Sequence, residues 1–171
     1  MIRAQILETV TNLKTESIFL LMSFNIGRIA RIDCPMFWPT LIQDVASLAL
    51  RAVDERKRLN ALIVLKDVIR QLGTRKLLDS KSFFRESAHN LLPHVVNLWM
   101  QFMDATFKKL EDFVSGMNEL SKQMNGVSQE NICHSKEGQN LVQTFYHTLR
   151  PHFKGIEACL SIIRDLLDHG F

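Results

Sequence analysis

The sequence predicts an all-α protein, and three observations support that class. Glycine and proline, the residues that interrupt helices, are scarce, at 7 and 4 of 171 residues. Apolar residues recur at three- and four-residue steps over most of the chain, which is the spacing of one helix face. Hydrophobic residues make up 46% of the chain and the mean hydropathy is −0.01, values typical of a globular domain with a buried core.

The apolar periodicity predicts seven helices, over residues 1–13, 16–32, 39–53, 55–72, about 80–114, 137–150 and about 153–169. Thr15 and Asp54 are placed to N-cap the second and fourth helices, and Gly73 lies just past the end of the fourth. The second helix is apolar around nearly its whole circumference, so we expect burial from several sides. Pro93 predicts a kink or a break near residues 89–92.

The sharpest local feature is a corner between the second and third helices, RIARIDCPMFWPTL at residues 28–41. Pro35 disfavours helical geometry at the residue before it, and Pro39 suits the first position of the next helix. The large ring of Trp38 needs a groove that buries it, and Asp33 is placed to bond free backbone N–H groups. These four residues are therefore predicted to form a structural joint that turns the chain back on itself.

Helices joined by short turns recur in about three pairs, at roughly 40–50 residues per pair, the period of HEAT-type arrays. The predicted architecture is a HEAT-like right-handed solenoid. It has helical pairs over residues 1–114, a flexible polar loop over 115–136 and a further helical pair over 137–171. Solenoid ends normally present a polar face, and neither end helix is polar. The chain is thus expected to be a fragment or short form of a larger solenoid.

Charge and cysteine content exclude several classes of protein. The net charge is only +3 and the basic residues are not gathered in one block, so no nucleic-acid partner is expected. Three cysteines without paired spacing indicate a reducing compartment. The longest apolar run, residues 18–22, is far too short to span a bilayer, and no leader pattern opens the chain, so no membrane insertion is expected.

No catalytic motif is present in the sequence. It contains no glycine-rich phosphate loop, no HExxH and no GxSxG, so neither an enzyme nor a cofactor is predicted. Cys133 and His134 are adjacent in a polar stretch, but a zinc site needs two closely spaced ligand pairs, and no metal is expected. An all-α hydrolase or transferase would need a nucleophile with a nearby base, and none is evident.

Basic residues gather along the fourth helix and its flanking turns. One interpretation is a solvated face whose charges pair with Asp54, Glu55 and Asp67. The other is an electropositive strip on the inner helix of a solenoid, suited to an acidic protein partner. Two members of the strip, one helical turn apart, point the same way. The candidate strip comprises Arg56, Lys66, Arg70, Arg75 and Lys76.

The corner resembles a segment near the N-terminus of importin-β-type nuclear transport receptors, and within them most resembles the importin-eleven type. The matching positions are Ile29, Ala30, Arg31, Asp33, Pro35, Trp38, Pro39 and Leu41. Residues 59–84 are similar to a second pattern of that type at Val68, Leu72, Thr74, Arg75, Lys76, Leu77 and Phe83, with Arg70 in place of lysine. Residues 160–171 resemble a helix that ends in Asn-Gly-Phe, with His169 in place of asparagine, whereas residues 115–136 have no counterpart.

The resemblance implies superhelical HEAT-repeat receptors without enzymatic activity. Such receptors bind the small GTPase Ran in its GTP form, hold protein cargo and cross the nuclear pore by contacting nucleoporin Phe-Gly repeats. For this chain it implies repeats near the N-terminus, shuttling between nucleus and cytoplasm, and a basic strip near the Ran-facing surface. The alternative is a HEAT- or armadillo-type interaction scaffold unrelated to transport.

Overall fold

The computed structural model describes residues 2–123 and 135–171. Over these residues the elements are α1 (Ile2–Thr11), α2 (Glu16–Asp33), α3 (Leu41–Arg51), α4 (Glu55–Gly73), α5 (Leu78–Gln123) and α6 (Lys136–Gly170). The all-α prediction is confirmed for this part of the chain. The chain divides into two compact units, Met1–Trp99 with Glu157–Phe171, and Met100–Ile156.

Helix α4 forms the centre of the first unit. It packs against α1, α2 and α3, so that neighbours cover it on several sides. Burying a large apolar side chain contributes about 1.5–3 kcal/mol, which makes this helix the main source of stability in the unit. Its fully buried side chains, each exposed by 1% or less, are Ala61, Leu62, Val64, Leu65, Val68 and Ile69.

Polar contacts fix the neighbouring elements onto α4. The amide Nδ2 of Asn60, a buried residue, donates to the carbonyl oxygens of Thr11 and Leu13, at 2.9 and 3.2 Å. The hydroxyl of Ser23 on α2 donates to Oδ2 of Asp67 at 2.6 Å. These bonds satisfy polar groups that would otherwise be costly to bury, and they specify which turns of the helices face each other.

The helix ends follow the sequence only in part. The carboxylate of Asp54 accepts from the backbone N–H of Lys57 at 3.1 Å, which confirms the predicted N-cap. Thr15 occupies the N-cap position of α2, as predicted, but its side chain makes no capping bond. Gly73 is the last residue of α4, not the residue past its end. A Cβ there would lie 2.7 Å from Cδ2 of His169, so the close approach of α6 explains the glycine.

Helix α2 is not buried from several sides, contrary to the expectation from its composition. Its inward face is formed by Phe19, Ile26 and Ala30, which are exposed by 2% or less. The contacts of α2 with α4 and α1 cover one side only, so much of its apolar surface remains open. The large apolar side chains of α2 that are exposed by 43–74% are Ile18, Leu20, Leu21, Phe24, Ile29 and Ile32.

The corner between α2 and α3 buries its tryptophan, as predicted. Cys34 leaves the helix in an extended conformation (φ −87°, ψ 143°), and its peptide bond to Pro35 is cis. Trp38 is only 5% exposed, and its Nε1 donates to Oδ2 of Asp44 at 3.2 Å. The predicted start of the third helix at Pro39 is wrong, because residues 39–40 form a turn and α3 begins two residues later.

Asp33 acts in the corner through its backbone, not through its side chain as predicted. Its carbonyl oxygen accepts from the N–H groups of Phe37 and Trp38, at 2.6 and 3.0 Å. The carboxylate instead lies 3.6 Å from the guanidinium of Arg3 on α1. That guanidinium also lies over the Trp38 ring, 5.3 Å from its centre. Helix α1 thereby contacts the corner through one side chain that meets both a carboxylate and an aromatic ring.

The long helices continue through their prolines. Helix α5 is unbroken at Pro93 and runs to Gln123. Of the two alternatives at Pro93, the break is therefore wrong and the kink stays a prediction. Residues 115–123 are helical where a loop was expected. Helix α6 passes through Pro151 as one helix where two were predicted. Proline costs one backbone bond, which packing along a long apolar face can offset. The rest of the expected loop, residues 124–134 with Cys133 and His134, lies outside the described residues.

Within the second unit, aromatic side chains pack α5 against α6. The rings of Phe113 and Phe145 stack with their centres 4.1 Å apart, and Phe102 meets the buried His152 edge-on at 6.2 Å. Such ring pairs contribute about 0.5–1.5 kcal/mol beyond the area that they bury. The stacked pair at Phe113 lies directly before residues 115–123, which are helical where a loop was expected.

Because Trp38 is buried in the corner, we expect Trp38→Ala to cause a large loss of stability. Removal of the buried ring should lower the free energy of unfolding by about 3–5 kcal/mol, because a cavity replaces it. Phe37→Ala is the matched control, since that neighbouring ring is 60% exposed and its removal should change stability by less than about 1 kcal/mol. Urea unfolding followed by circular dichroism measures both. Equal effects of the two substitutions would show that Trp38 is not a core residue.

Candidate partner-binding surface

The five residues of the predicted basic strip are spread along α4 and the turn that follows it. Arg56 is exposed in the first turn of α4, whereas Lys66 and Arg70 lie near its other end. Because a helix rises 1.5 Å per residue, the backbones at Arg56 and Arg70 are about 21 Å apart. Lys66 and Arg70 are separated by one turn, as predicted, and they define the candidate partner-binding pair.

The charges of this pair are only partly compensated. Nε of Arg70 lies 3.9 Å from Oδ2 of Asp165 on α6, a carboxylate whose side chain is 9% exposed. Arg164 also pairs with that carboxylate, at 2.9 Å. Lys66 makes no ion pair with any residue that the structure describes. Asp67, one of the expected partners in the solvated-face interpretation, instead accepts the bond from Ser23.

Arg75 has a structural role that the sequence did not reveal. Its Nη1 donates to the carbonyl oxygen of Cys34, at the start of the corner. Beside it, Nη1 of Arg31 donates to the hydroxyl of Thr74 at 2.9 Å. The two arginines therefore connect the end of α2 to the turn that follows α4. This pairing spans more than 40 positions of sequence, so no local pattern indicates it.

Lys76 lines a cavity that the sequence did not predict. The cavity has a volume of about 450 Å³, and its floor includes Leu72 and Phe84. The predicted basic strip ended at the turn after α4 and did not include Lys81 and Arg85. Their four-residue spacing, which places them one turn apart on α5, is a signal that could have indicated them. The charged and titratable side chains that line the cavity are Arg75, Lys76, Lys81, Arg85, Asp168 and His169.

The cavity exists because three helix ends approach one another closely. A Cβ at Gly170 would lie 2.5 Å from Cβ of Ala88, so α6 ends in direct contact with α5. The approach of His169 to Gly73 brings the same end of α6 against the end of α4. The cavity walls are thus helix ends, not long loops, and their side chains have defined positions.

The buried cysteines are inert thiols. Burial, reinforced by the negative charge of Asp33, raises the pKa of Cys34 to about 11, and the thiol donates to the carbonyl oxygen of Trp38 at 2.9 Å. Burial raises the pKa of Cys159 to about 12. Protonated thiols are poor nucleophiles, so neither suits covalent catalysis.

Neither a metal centre nor a helix that could span a membrane is found within residues 2–123 and 135–171. Three or more His, Cys, Asp or Glu side chains that could hold a metal ion do not come together in this part of the chain. Nor does this part contain a helix with the length and apolar character needed to cross a bilayer.

Comparison with known proteins supports one family. The chain is 30% identical over 78 residues to the Saccharomyces cerevisiae protein named Importin beta-like protein KAP120. The aligned residues cover 44% of this chain and 8% of that relative. It is 27% identical over 79 residues to mouse Importin-11, in an alignment that covers 46% of this chain and 8% of the mouse protein. It is 25% identical over 85 residues to human Importin-11, in an alignment that covers 50% of this chain and 9% of the human protein. No family model matches the chain. No solved structure matches it either.

The resemblance to the importin-β family, importin-11 type, is therefore confirmed over about half of the chain. The chain spans less than a tenth of the length of each of these relatives. All of these relatives are importins by name.

We expect Arg75→Ala to destabilise the fold and Lys76→Ala to leave it unchanged. Loss of the Arg75 bond leaves the Cys34 carbonyl without its charged donor, at a cost of about 1–3 kcal/mol. Lys76 is exposed, and its truncation should change stability by less than about 0.5 kcal/mol. Thermal unfolding of both variants measures this difference. Equal melting temperatures for the two variants would show that the bond from Arg75 to the Cys34 carbonyl does not stabilise the fold.

Cys34 should resist alkylation, and its burial should make the free energy of unfolding fall as the pH becomes alkaline. Its pKa is raised from 9.0 in the unfolded chain to about 11 in the fold, so the fold favours the neutral thiol. That contribution is fully present below the unfolded pKa and is lost as the pH rises from about 9 to about 11. Cys34→Ala should flatten this part of the pH profile of unfolding. Rapid labelling of native Cys34 by iodoacetamide at neutral pH would contradict its burial.

Proposed function

We propose that this chain is a segment of an importin-β-type nuclear transport receptor that binds the small GTPase Ran and helps to carry protein cargo through the nuclear pore. The observation that supports the proposal is the similarity to importins over about half of the chain. The resemblance of the corner to receptors of this type agrees with it. The further partners would be cargo proteins and nucleoporin Phe-Gly repeats, and the protein would shuttle between nucleus and cytoplasm.

The corner residues are not the proposed contact site. Pro35 and Trp38 shape a turn, and Asp33 bonds within it, so these positions are explained by folding. Protein recognition needs charged groups that are accessible and not fully compensated. Lys66 and Arg70 meet that requirement. Lys66 makes no ion pair with any described residue, and Arg70 is exposed, with its Nε 3.9 Å from Oδ2 of Asp165.

A pair of cations on adjacent turns suits an acidic patch on a protein partner. Such charges mainly set association rate and specificity, and each exposed pair adds little affinity by itself. We therefore assign Lys66 and Arg70 to the edge of a larger Ran-facing surface. Arg56 would contribute only if the partner extends along α4 by about 21 Å.

The test is the affinity of the chain for Ran loaded with GTP compared with Ran loaded with GDP. Biolayer interferometry with immobilised Ran measures both states under one buffer. We expect preferential binding to the GTP form, because recognition of the nucleotide state distinguishes a transport receptor from a general scaffold. Equal affinities for both states, or binding to neither, would contradict the proposed function and favour the scaffold.

The double substitution Lys66→Glu with Arg70→Glu should weaken Ran binding by roughly tenfold, which corresponds to 1.4 kcal/mol. Lys108→Glu with Lys122→Glu is a charge-matched control, since both lysines are exposed in the second unit. Circular dichroism should show the same helicity for all three proteins. An equal loss of affinity in both double variants would indicate a general charge effect and remove this pair from the interface.

A further inference from the structure

We infer that the cavity between the ends of α4, α5 and α6 is a binding site for an acidic peptide segment of a partner protein. The site is separate from the pair Lys66 and Arg70 and does not depend on Ran. Its walls all belong to the first compact unit, so the site does not involve the second unit.

The charge of the cavity favours an anionic occupant. Four cationic side chains line it, Arg75, Lys76, Lys81 and Arg85, whereas Asp168 is the one acidic side chain among the residues of its wall. Cations held close together repel one another, and that repulsion is relieved when carboxylates bind. A chain with a net charge of only +3 thus concentrates an excess of positive charge at one place.

Most of these cations make no ion pair within residues 2–123 and 135–171. Lys76, Lys81 and Arg85 form no ion pair with any residue in the described ranges, and all three are exposed. Arg75 alone is engaged, through its bond to the Cys34 carbonyl, and that bond holds the wall in place. Three free cations around a formed cavity can therefore make charge-assisted hydrogen bonds to a ligand.

The shape of the site favours a peptide over a small anion. The cations come from two separate segments, the turn after α4 and the first turns of α5, so they are spread along the rim. In an extended peptide, alternate side chains point to the same side, so several carboxylates can reach such a rim at once. Phe171, which also lines the cavity and is 58% exposed, offers an apolar surface for an intervening side chain. A volume of about 450 Å³ lies within the range of ligand-binding cavities.

The experiment uses a short fluorescein-labelled peptide that alternates glutamate with phenylalanine. Its binding to the full chain is followed by fluorescence anisotropy, and a peptide with lysine in place of glutamate serves as the charge control. We expect saturable binding of the glutamate peptide alone. Lys81→Glu with Arg85→Glu should weaken that binding by about tenfold or more, and Lys81→Gln with Arg85→Gln should weaken it less.

The control variant is again Lys108→Glu with Lys122→Glu, which has the same net charge but leaves the cavity intact. Its affinity for the peptide should stay within about twofold of the unsubstituted chain, because screening limits the effect of distant surface charges. Equal weakening in both glutamate variants, or absence of peptide binding to the unsubstituted chain, would overturn the inference. Displacement of the peptide by inorganic phosphate, beyond that by sodium chloride of equal ionic strength, would also overturn it in favour of a phosphate site.

Discussion

Burial of α4 is the constraint on which the rest of the first unit depends. Three other helices lie against it, and its side chains from Ala61 to Ile69 include six that are almost completely inaccessible. Close packing leaves little freedom in where those neighbours can lie. The polar bonds of Asn60 and Asp67 then fix the positions of the α1–α2 turn and of α2 along the helix. Lys66 and Arg70, the candidate partner-binding pair, are side chains of this buried helix.

The corner and the turn after α4 form a second level of organisation. Arg31 and Arg75 connect them, and α6 closes against the same end of α4 at Gly73. Several residues that resemble the importin pattern, Trp38 and Arg75 among them, are therefore explained by packing and hydrogen bonding. Similarity at such positions is evidence of common architecture. Evidence for function must come from cations that the fold leaves available, namely the α4 pair and the rim of the cavity.

The sequence predicted the elements whose signals are local. The bounds of α2, the N-cap at Asp54 and the burial of Trp38 depend on periodicity, a short carboxylate and a large ring, and all three are confirmed. Pro93 and Pro151 misled the prediction, because local propensity cannot include the packing that keeps a long helix intact. The cavity could not be predicted, since its walls meet only after α6 returns to the ends of α4 and α5.

The most direct test of this account is native-state hydrogen exchange across α4. Amides at residues 62–69 should be the slowest in the chain and should exchange only through global unfolding, because their helix is covered by three others. Amides of α1, which has fewer buried side chains, should exchange faster through local opening. Exchange at residues 62–69 as rapid as that in α1 would contradict the claim that α4 is the buried centre on which both candidate sites depend.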